Sequence, residues 1–207
     1  CGFFVQAPWR TYVNYNDPRL IEKYYSQMKE WFKYVDKYTV DGLLKRWPDT
    51  KYRDWYLGDW LAPMGVDAGN QASVDLVSNC FISECLSTMY KTALTLGNKE
   101  EAEEFAIRRE KLNKLIHQTF YRADEGIYST GSQLDMCYPM LVGVVPDSLY
   151  NKVKENVVTM TEEKYKGHIA VGLVGVPILT EWAVRNKQVD FFYQMMKKRD
   201  YPGYLYM

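Results

Sequence analysis

Apolar residues recur at three- and four-residue intervals over most of the chain, a pattern that predicts helices with one buried face. The clearest stripe follows Asp17 and Pro18, an aspartate that can cap a helix and a proline that suits its first turn. A shorter helix is expected from Pro8 to Tyr15, with Pro8 either in its first turn or inside a longer helix. The helix that follows Pro18 should end near Gly42. Its buried stripe is Leu20, Ile21, Tyr24, Met28, Trp31, Phe32, Val35 and Tyr38.

A second stripe, from Ser73 to Leu96, is followed at once by Gly97, which can end a helix in a left-handed conformation. Asn98 can cap the next helix, and Glu101 can reach back to it in a capping box. Because the connection at Gly97 is so short, these two helices are predicted to form an antiparallel hairpin.

Further helices are predicted over residues 133–143, 147–160, 177–186 and 188–198. Short extended segments are expected near 43–57 and 126–129, without a strand domain. No motif recurs at a fixed interval, so the pattern does not favour a solenoid of repeats. An all-α fold is therefore predicted, in which helical hairpins form part of a toroid and long loops at one end build a pocket.

Composition changes the picture of which partners are plausible. The 207 residues include 26 basic and 26 acidic side chains, so the formal net charge is zero. No electrostatic attraction then favours nucleic acid or an anionic membrane, and neither is expected as a partner. The 18 tyrosines and 6 tryptophans combine a flat apolar face with a polar edge, which suits neutral, hydroxyl-rich ligands such as sugars.

Cysteine and histidine usage gives no support for a metal site or a cofactor. The four cysteines include no CxxC pair, and the two histidines, His117 and His168, are far apart in sequence. Cys80 and Cys85 should face different sides of one helix as buried free thiols. Cys1 is interpreted as interior sequence rather than a lipidated terminus. The compartment is undecided, with a periplasmic or extracellular location slightly favoured over a cytoplasmic one.

One loop combines aromatic and acidic residues with turn residues, and reads YRDWYLGDWLAPMGVDAGNQ over 52–71. Asp59 and Trp60 offer the two groups that bind a sugar: a carboxylate for its hydroxyls and an apolar face for its ring. The alternative left open is that Trp60 fills the core while Asp59 caps a neighbouring turn. Asp54, beside two basic residues, is a weaker candidate.

Two later loops carry further candidates. The segment GIYSTGSQ contains Tyr128 and Gln133, which could bind sugar hydroxyls, although Ser132 could simply cap the following helix. His168 precedes the glycine-containing segment IAVGLVGVP, where an imidazole could face a ligand or serve a structural role. The glycines do not form a dinucleotide-binding fingerprint, because no strand precedes them.

Glycoside hydrolysis requires two carboxyl groups, about 6.5 to 9.5 Å apart when the configuration is inverted. The glutamates on the predicted helices, including Glu84 and Glu101, occupy positions that look solvated, and Asp54 and Asp59 lie on one loop. The residues alone therefore identify no catalytic pair.

Taken in order, several segments together are more specific than any one of them. The chain resembles the catalytic helical domain of bacterial α-L-rhamnosidases of glycoside hydrolase family 78, nearly end to end. The segments that carry the resemblance are APWRTYVNYNDPRLIEKYYSQMKEWFKYV, DGLL, LGDWLAP, GIYSTGSQ, VGVVPDSL, GHIAVGLVGVPIL and YPGYLYM. It implies an (α/α)6 toroid, of which residues 1–207 would be a single partial domain.

The resemblance also implies hydrolysis of terminal α-L-rhamnose with inversion, by two glutamates that both lie outside residues 1–207. Trp9 and Trp60 match tryptophans of the family's rhamnose subsite, with Asp59 beside them. Cys1 and Val171 depart from the family, whose members often carry aspartate and threonine there. The substrate-binding set expected here is Trp9, Asp59, Trp60, Tyr128, Gln133 and His168.

Alternative functions stay open at this point. The toroid could belong to another glycosidase or to an unsaturated-uronide hydrolase, or the chain could be a noncatalytic helical module that binds glycans or proteins. The expected partner is a rhamnose-containing carbohydrate, without a cofactor or metal. Alone, the chain is expected to be inactive and to self-associate through the open edge of its partial toroid.

Overall fold

The structure is a computed structural model that describes residues 2–47, 58–63 and 70–206. Within these ranges, short antiparallel ribbons pair β1 (Thr39–Val40) with β2 (Leu43–Leu44) and β3 (Tyr121–Arg122) with β4 (Ile127–Tyr128). Helices dominate, which confirms the predicted all-α class. They are α1 (Phe3–Tyr15), α2 (Arg19–Asp36), α3 (Gln71–Thr95), α4 (Lys99–Phe120), α5 (Gln133–Leu141), α6 (Asp147–Glu163), α7 (Gly175–Arg185) and α8 (Val189–Met196).

Consecutive helices pack in pairs, α1 with α2, α3 with α4, α5 with α6 and α7 with α8. The predicted α3–α4 hairpin is confirmed, and Ser83 of α3 donates to Asn113 of α4 at 2.6 Å. The first helices of the four pairs also pack against one another, in the order α1, α3, α5, α7. These four form an inner row, and α2, α4, α6 and α8 lie outside it.

The helices of the inner row run parallel. Near the starts of α3 and α5, the Ser73 hydroxyl donates to Asp135 Oδ1 at 2.7 Å. Late in α5 and α7, Trp182 Nε1 lies 3.1 Å from Met140 Sδ. The long segments that precede α3, α5 and α7 therefore all lie at one end of the row, which we call the loop end. The short connections after these helices lie at the opposite turn end.

Helix boundaries follow local capping chemistry. Asn70 accepts from the backbone of Ala72 at 3.0 Å to begin α3, and Ser132 accepts from the backbone of Asp135 at 3.1 Å to begin α5. Gly97 has a φ of +81°, the left-handed conformation expected after α3. α1 begins before Pro8, so the longer of the two helices considered for this segment is the one that forms.

The predicted capping box at the start of α4 is wrong. The Asn98 side chain makes no capping bond, and the Glu101 carboxylate instead accepts from the Tyr25 hydroxyl at 2.7 Å and from Lys29 at 2.5 Å. A partner on α2 outcompetes the local backbone because the ammonium group adds charge to the hydrogen bond.

The core lies between the two rows and is centred on α3. The buried stripe of α2 consists of Ile21, Tyr25, Met28, Phe32 and Val35. It is rotated slightly from the predicted one, because Leu20 is exposed and Tyr24 is only partly buried. No described helix is long and apolar enough to cross a bilayer.

The cysteines that the structure describes are buried and free, as predicted for Cys80 and Cys85, and Cys137 behaves in the same way. Burial raises the pKa of the Cys85 thiol to about 12 and also raises the pKa values of Cys80 and Cys137. These thiols are therefore protonated and unreactive packing groups at neutral pH. Cys1 lies outside the described residues.

Exposed large apolar side chains are concentrated on the first and last pairs of helices. On the middle pairs, α3–α4 and α5–α6, the described examples are Leu94 and Ile107. On the outer pairs and the segment after α8 they are Phe3, Phe4, Val13, Tyr15, Leu20, Tyr34, Val184, Val189, Tyr193, Met196, Tyr201, Tyr204, Leu205 and Tyr206. The ends of the row thus resemble surfaces from which a packing neighbour has been removed.

Candidate functional site

Asp59 holds the loop that precedes α7. Its carboxylate accepts backbone N–H groups from Gly172 at 2.6 Å, Val174 at 3.2 Å and Gly175 at 3.0 Å. The Asp59 residue is only 8% exposed, and an anion is favoured at these N–H groups by the positive end of the helix. The capping role left open in the sequence is therefore the one that these contacts support.

Two glycines explain how the segments approach so closely. A Cβ atom at Gly172 would lie 1.9 Å from the Trp60 carbonyl oxygen, and one at Gly175 would lie 2.8 Å from Asp59 Oδ2. No side chain fits at Gly172 without displacing the backbone of Trp60. The glycine pattern in IAVGLVGVP therefore reflects close backbone packing rather than a phosphate-binding loop.

Trp60 is fixed through its backbone while its side chain faces outward. Its carbonyl accepts from Leu173 N at 2.7 Å, and the residue is 54% exposed. The alternative that Trp60 fills the core is therefore wrong. An exposed indole on a fixed backbone can serve as a platform for an apolar ring face. Tyr52, Asp54, Trp55 and Tyr56 of the same loop lie outside the described residues.

Trp9 lines a cavity of about 570 Å³ on the inner side of the row, between α1, α3, α5 and α7. We call it the inner cavity. Val174, whose N–H binds Asp59, also lines it. The structure thus places Trp9 on the wall of the inner cavity and connects the Asp59 loop to the cavity's loop end through Val174.

The inner cavity also contains carboxylates that the sequence did not single out. Glu84 accepts from the Tyr138 hydroxyl at 2.7 Å and lies 3.9 Å from Arg10, so its expected solvated position is wrong. Burial, reinforced by Glu84, raises the pKa of Tyr138 well above its usual value. Glu181 is paired with Arg185 at 2.6 Å. Helical periodicity could not reveal these positions, because the neighbour that buries Glu84 comes from another hairpin.

Tyr128 lies in the interior. The residue is 0% exposed, and its hydroxyl is 2.7 Å from His117 Nδ1. Its ring also contacts that of Tyr121. Burial lowers the pKa of His117, which favours the neutral imidazole that can accept the phenolic proton. These contacts support a structural role for Tyr128.

Gln133 is also buried, and its amide ties three elements together. It donates to Thr161 of α6 at 2.9 Å and to the His168 carbonyl at 3.0 Å, and it accepts from Ala170 N at 2.8 Å. An amide is well suited to this position because it presents both donors and an acceptor. The start of α5 is thereby fastened to the loop before α7.

His168 is buried with both ring nitrogens facing oxygen atoms. Nδ1 is 2.9 Å from the Tyr165 carbonyl, and Nε2 is 3.1 Å from Asp200 Oδ1. The pKa of Asp200 is lowered, first by its own backbone N–H and then by His168. The structural alternative that the sequence left open for His168 is the one these contacts support.

A further buried carboxylate, Asp135, was missed in the sequence. It accepts from Ser73 at 2.7 Å and from the Thr130 hydroxyl at 2.7 Å and backbone at 3.1 Å. Desolvation raises its pKa, while these hydrogen bonds act in the opposite direction. Asp135 thus joins α3, α5 and the segment that precedes α5 at the loop end.

The loop end is therefore a connected platform rather than a set of independent loops. Asp59 fastens residues 58–63 to the segment before α7, and Gln133 fastens that segment to α5. Among the described residues, no group of histidine, cysteine and acidic side chains has the arrangement of a metal site. The arrangement can present an exposed indole on a segment that is hydrogen-bonded to Leu173, the residue before Val174 on the wall of the inner cavity.

The chain matches a known family over its whole length. Residues 1–207 match the family model of the bacterial alpha-L-rhamnosidase 6 hairpin glycosidase domain. An alpha-L-rhamnosidase of Alteromonas sp. (strain LOR) is 24% identical over 206 residues, which cover 96% of this chain and 21% of the relative.

Solved structures share the fold. The α-L-rhamnosidase of Dictyoglumus thermophilum gives a TM-score of 0.86 at 20% identity, over 98% of this chain and 22% of that one. The Streptomyces avermitilis α-L-rhamnosidase complexed with L-rhamnose gives a TM-score of 0.82 at 20% identity. The match covers 98% of this chain and 18% of that one. The chain thus spans about a fifth of the length of the proteins it matches.

Replacing Asp59 should loosen the segment before α7. In Asp59→Ala, the amides of Gly172, Val174 and Gly175 lose their acceptor, and their hydrogen exchange should accelerate at least tenfold, which ~1.4 kcal/mol provides. Exchange of the peptide spanning 168–178 would be measured by mass spectrometry. Asp124→Ala, at an exposed turn position, is the control. Unchanged exchange in Asp59→Ala would show that the carboxylate does not hold this segment.

Proposed function

Because the chain belongs to the bacterial α-L-rhamnosidase six-hairpin glycosidase family, we propose that the complete protein hydrolyses terminal α-L-rhamnose from glycans or glycosides. The observation that carries this proposal is the family match over residues 1–207. The four helix pairs described here account for four of the six hairpins in that family's domain. The two remaining hairpins, and the rest of the active site, would come from sequence outside this chain.

The proposed reaction inverts the configuration at the anomeric carbon. A general acid protonates the leaving oxygen, and a general base removes a proton from the water that attacks the opposite face of the sugar. The resemblance assigns both roles to glutamates outside residues 1–207. The inner-cavity carboxylates Glu84 and Glu181 already bind Tyr138 and Arg185, so we give them no catalytic role.

This chain would then supply walls of the sugar pocket. Trp60 would offer an apolar face to the rhamnose ring, and its exposed indole and fixed backbone support that role. Trp9, on the wall of the inner cavity, is the second proposed aromatic contact. Asp59 would act chiefly by positioning Trp60, because its oxygens already accept three backbone N–H groups.

Tyr128, Gln133 and His168 would contribute indirectly. Their polar atoms bind other parts of the chain, and the residues are buried. They would keep the loop end rigid, so that Trp60 holds its position when substrate binds. A rigid platform matters because a displacement of about 1 Å at a distance from the chemistry can lower the rate about 100-fold.

The complete protein should hydrolyse an aryl α-L-rhamnoside. Other aryl glycosides and an unsaturated uronide should be turned over at least about 100-fold more slowly, because a pocket shaped for one sugar discriminates by several kcal/mol of transition-state binding. Initial rates would be measured across the panel. A preference for another glycoside would favour a different toroidal glycosidase, and no turnover at all would favour a noncatalytic glycan-binding module.

Trp60→Ala in the complete protein should lower kcat/KM for the rhamnoside more than tenfold, since ~1.4 kcal/mol of lost transition-state binding has that effect. Tyr15→Ala removes another exposed ring, at the turn end of α1, and should leave kcat/KM unchanged. Steady-state kinetics would decide the outcome. Equal values for wild type and Trp60→Ala would remove Trp60 from the substrate site.

Residues 1–207 produced alone should fold as helices but should not hydrolyse the aryl rhamnoside, since the proposed acid and base lie elsewhere. The exposed apolar residues on the first and last helix pairs should cause self-association. The chain would be assayed for turnover and examined by light scattering. Turnover comparable with that of the complete protein would contradict the placement of the catalytic residues. A strictly monomeric chain would contradict the open-edge interpretation.

A further inference from the structure

A second cavity lies outside the inner row, at the turn end of the α3–α4 and α5–α6 pairs. It has a volume of about 590 Å³, and we call it the outer groove. Its walls are formed by one face of α4 from Ala106 to Gln118, by Ser87 and Tyr90 of α3, and by the connection Gly143–Pro146. It extends along α4 as far as His117 and Gln118 and lies between two pairs that are both described.

Arg109 lies at the back of the outer groove and is half-buried. One of its nitrogens, Nη2, donates to the Val142 carbonyl, just beyond α5. Its Nε is buried without an acceptor, and within the described ranges no carboxylate lies within ion-pair distance of the guanidinium. Desolvation by the half-buried position lowers the pKa of Arg109.

The hydrogen bond to the Val142 carbonyl stabilises part of the positive charge of Arg109. A cation beside the last carbonyls of a helix is stabilised by the helix dipole, and Asn113 also donates to the Val142 carbonyl, at 3.0 Å. That carbonyl carries only a partial negative charge, however. The remaining positive charge of Arg109 has no counter-charge in the described part of the chain, and part of that charge is removed from water because the side chain is half-buried.

The other ionisable groups of the outer groove do not supply that counter-charge. Lys114 and Glu110 are paired with each other at 2.6 Å, so together they add no net charge. Burial lowers the pKa of His117, which favours the neutral imidazole. With these groups assigned, the groove carries one net positive charge, located at Arg109.

The walls of the outer groove are largely apolar. The apolar part of the walls is formed by Ala106, Val144, Val145, Pro146 and the ring of Tyr90. A cavity of this size with apolar walls and a single cation suits a small molecule that has one anionic group and an apolar body. A guanidinium binds a carboxylate particularly well, because its planar donors match the two oxygens.

We propose that the outer groove is a binding site for a small organic monocarboxylate, with the carboxylate on Arg109 and an apolar ring between α4 and the Val144–Pro146 connection. The site would open on the opposite side of Arg109 from the inner cavity, which the Arg109 side chain also lines. Binding would place a counter-charge beside Arg109 and would bury apolar surface of the ligand.

Benzoate is the probe, and its binding to the complete protein would be measured by calorimetry at low ionic strength. We expect saturable binding at one site, at least tenfold tighter than that of benzamide, which has the same ring without the charge. Arg109→Gln should weaken benzoate binding at least tenfold. Arg108→Gln makes the same chemical change at the next position of α4, but Arg108 pairs with Asp36 outside the groove, so this control should bind as the wild type does.

A second variant covers the case in which Arg109→Gln fails to fold, as judged by its thermal melting curve. Ala106→Glu keeps Arg109 and places a carboxylate one turn away on α4, where it should occupy the guanidinium and abolish benzoate binding. The proposal is overturned if the wild type shows no saturable binding, if benzamide binds as well as benzoate, or if a folded Arg109→Gln or Ala106→Glu variant binds benzoate normally. Inorganic phosphate binding more tightly than benzoate would also overturn it, because charge alone would then be recognised.

Discussion

The burial of α3 on all sides over most of its length is the constraint on which the rest of the structure depends. This helix of 25 residues contacts α1, α4 and α5, and its buried positions occur on all sides rather than on one stripe. Polar groups at such positions must find partners, because leaving one unpaired in the interior costs about 1 to 3 kcal/mol. The resulting bonds from α3 are Ser73 to Asp135, Asn79 to Leu44, Ser83 to Asn113 and Thr88 to Gln6.

Each of these bonds reaches a different neighbour, so the polar groups of α3 also set how the other elements are placed around it. Hydrophobic burial alone is non-directional and would tolerate small rotations of α1 or α5. A buried hydrogen bond that water cannot replace tolerates much smaller rotations of these helices, because its strength depends on distance and angle. The close structural match to relatives at about 20% identity fits this view, since the fold depends on the burial pattern more than on particular apolar residues.

The two cavities illustrate how differently the same inner row can treat charge. In the inner cavity, the half-buried Glu84 has a phenolic donor at Tyr138, and Glu181 has Arg185. In the outer groove, Arg109 has a carbonyl partner at Val142 but no acid among the residues that the structure describes. Both cavities are bordered by helices of the described pairs, and Arg109 lines both. The wall between them is therefore one side chain thick at this position, and a charge change on one side would be felt electrostatically on the other.

Features that depend only on residues close together in the chain could be predicted from the amino-acid sequence. The helices, the turn at Gly97, the Ser132 cap and the buried cysteines follow from spacing and local chemistry over a few residues. Trp60 could also be identified from the sequence as a candidate sugar-binding residue, because of the composition of its loop and the family resemblance of the chain. The hydrogen-bond partners of the polar side chains, in contrast, depend on how the helices pack. Asp59 accepts hydrogen bonds from backbone N–H groups more than 110 residues away in the chain. Glu101 pairs with Lys29 of α2 instead of forming the local cap that was expected. A polar side chain takes the partner that best replaces its lost hydration, and that partner is known only once the helices have packed.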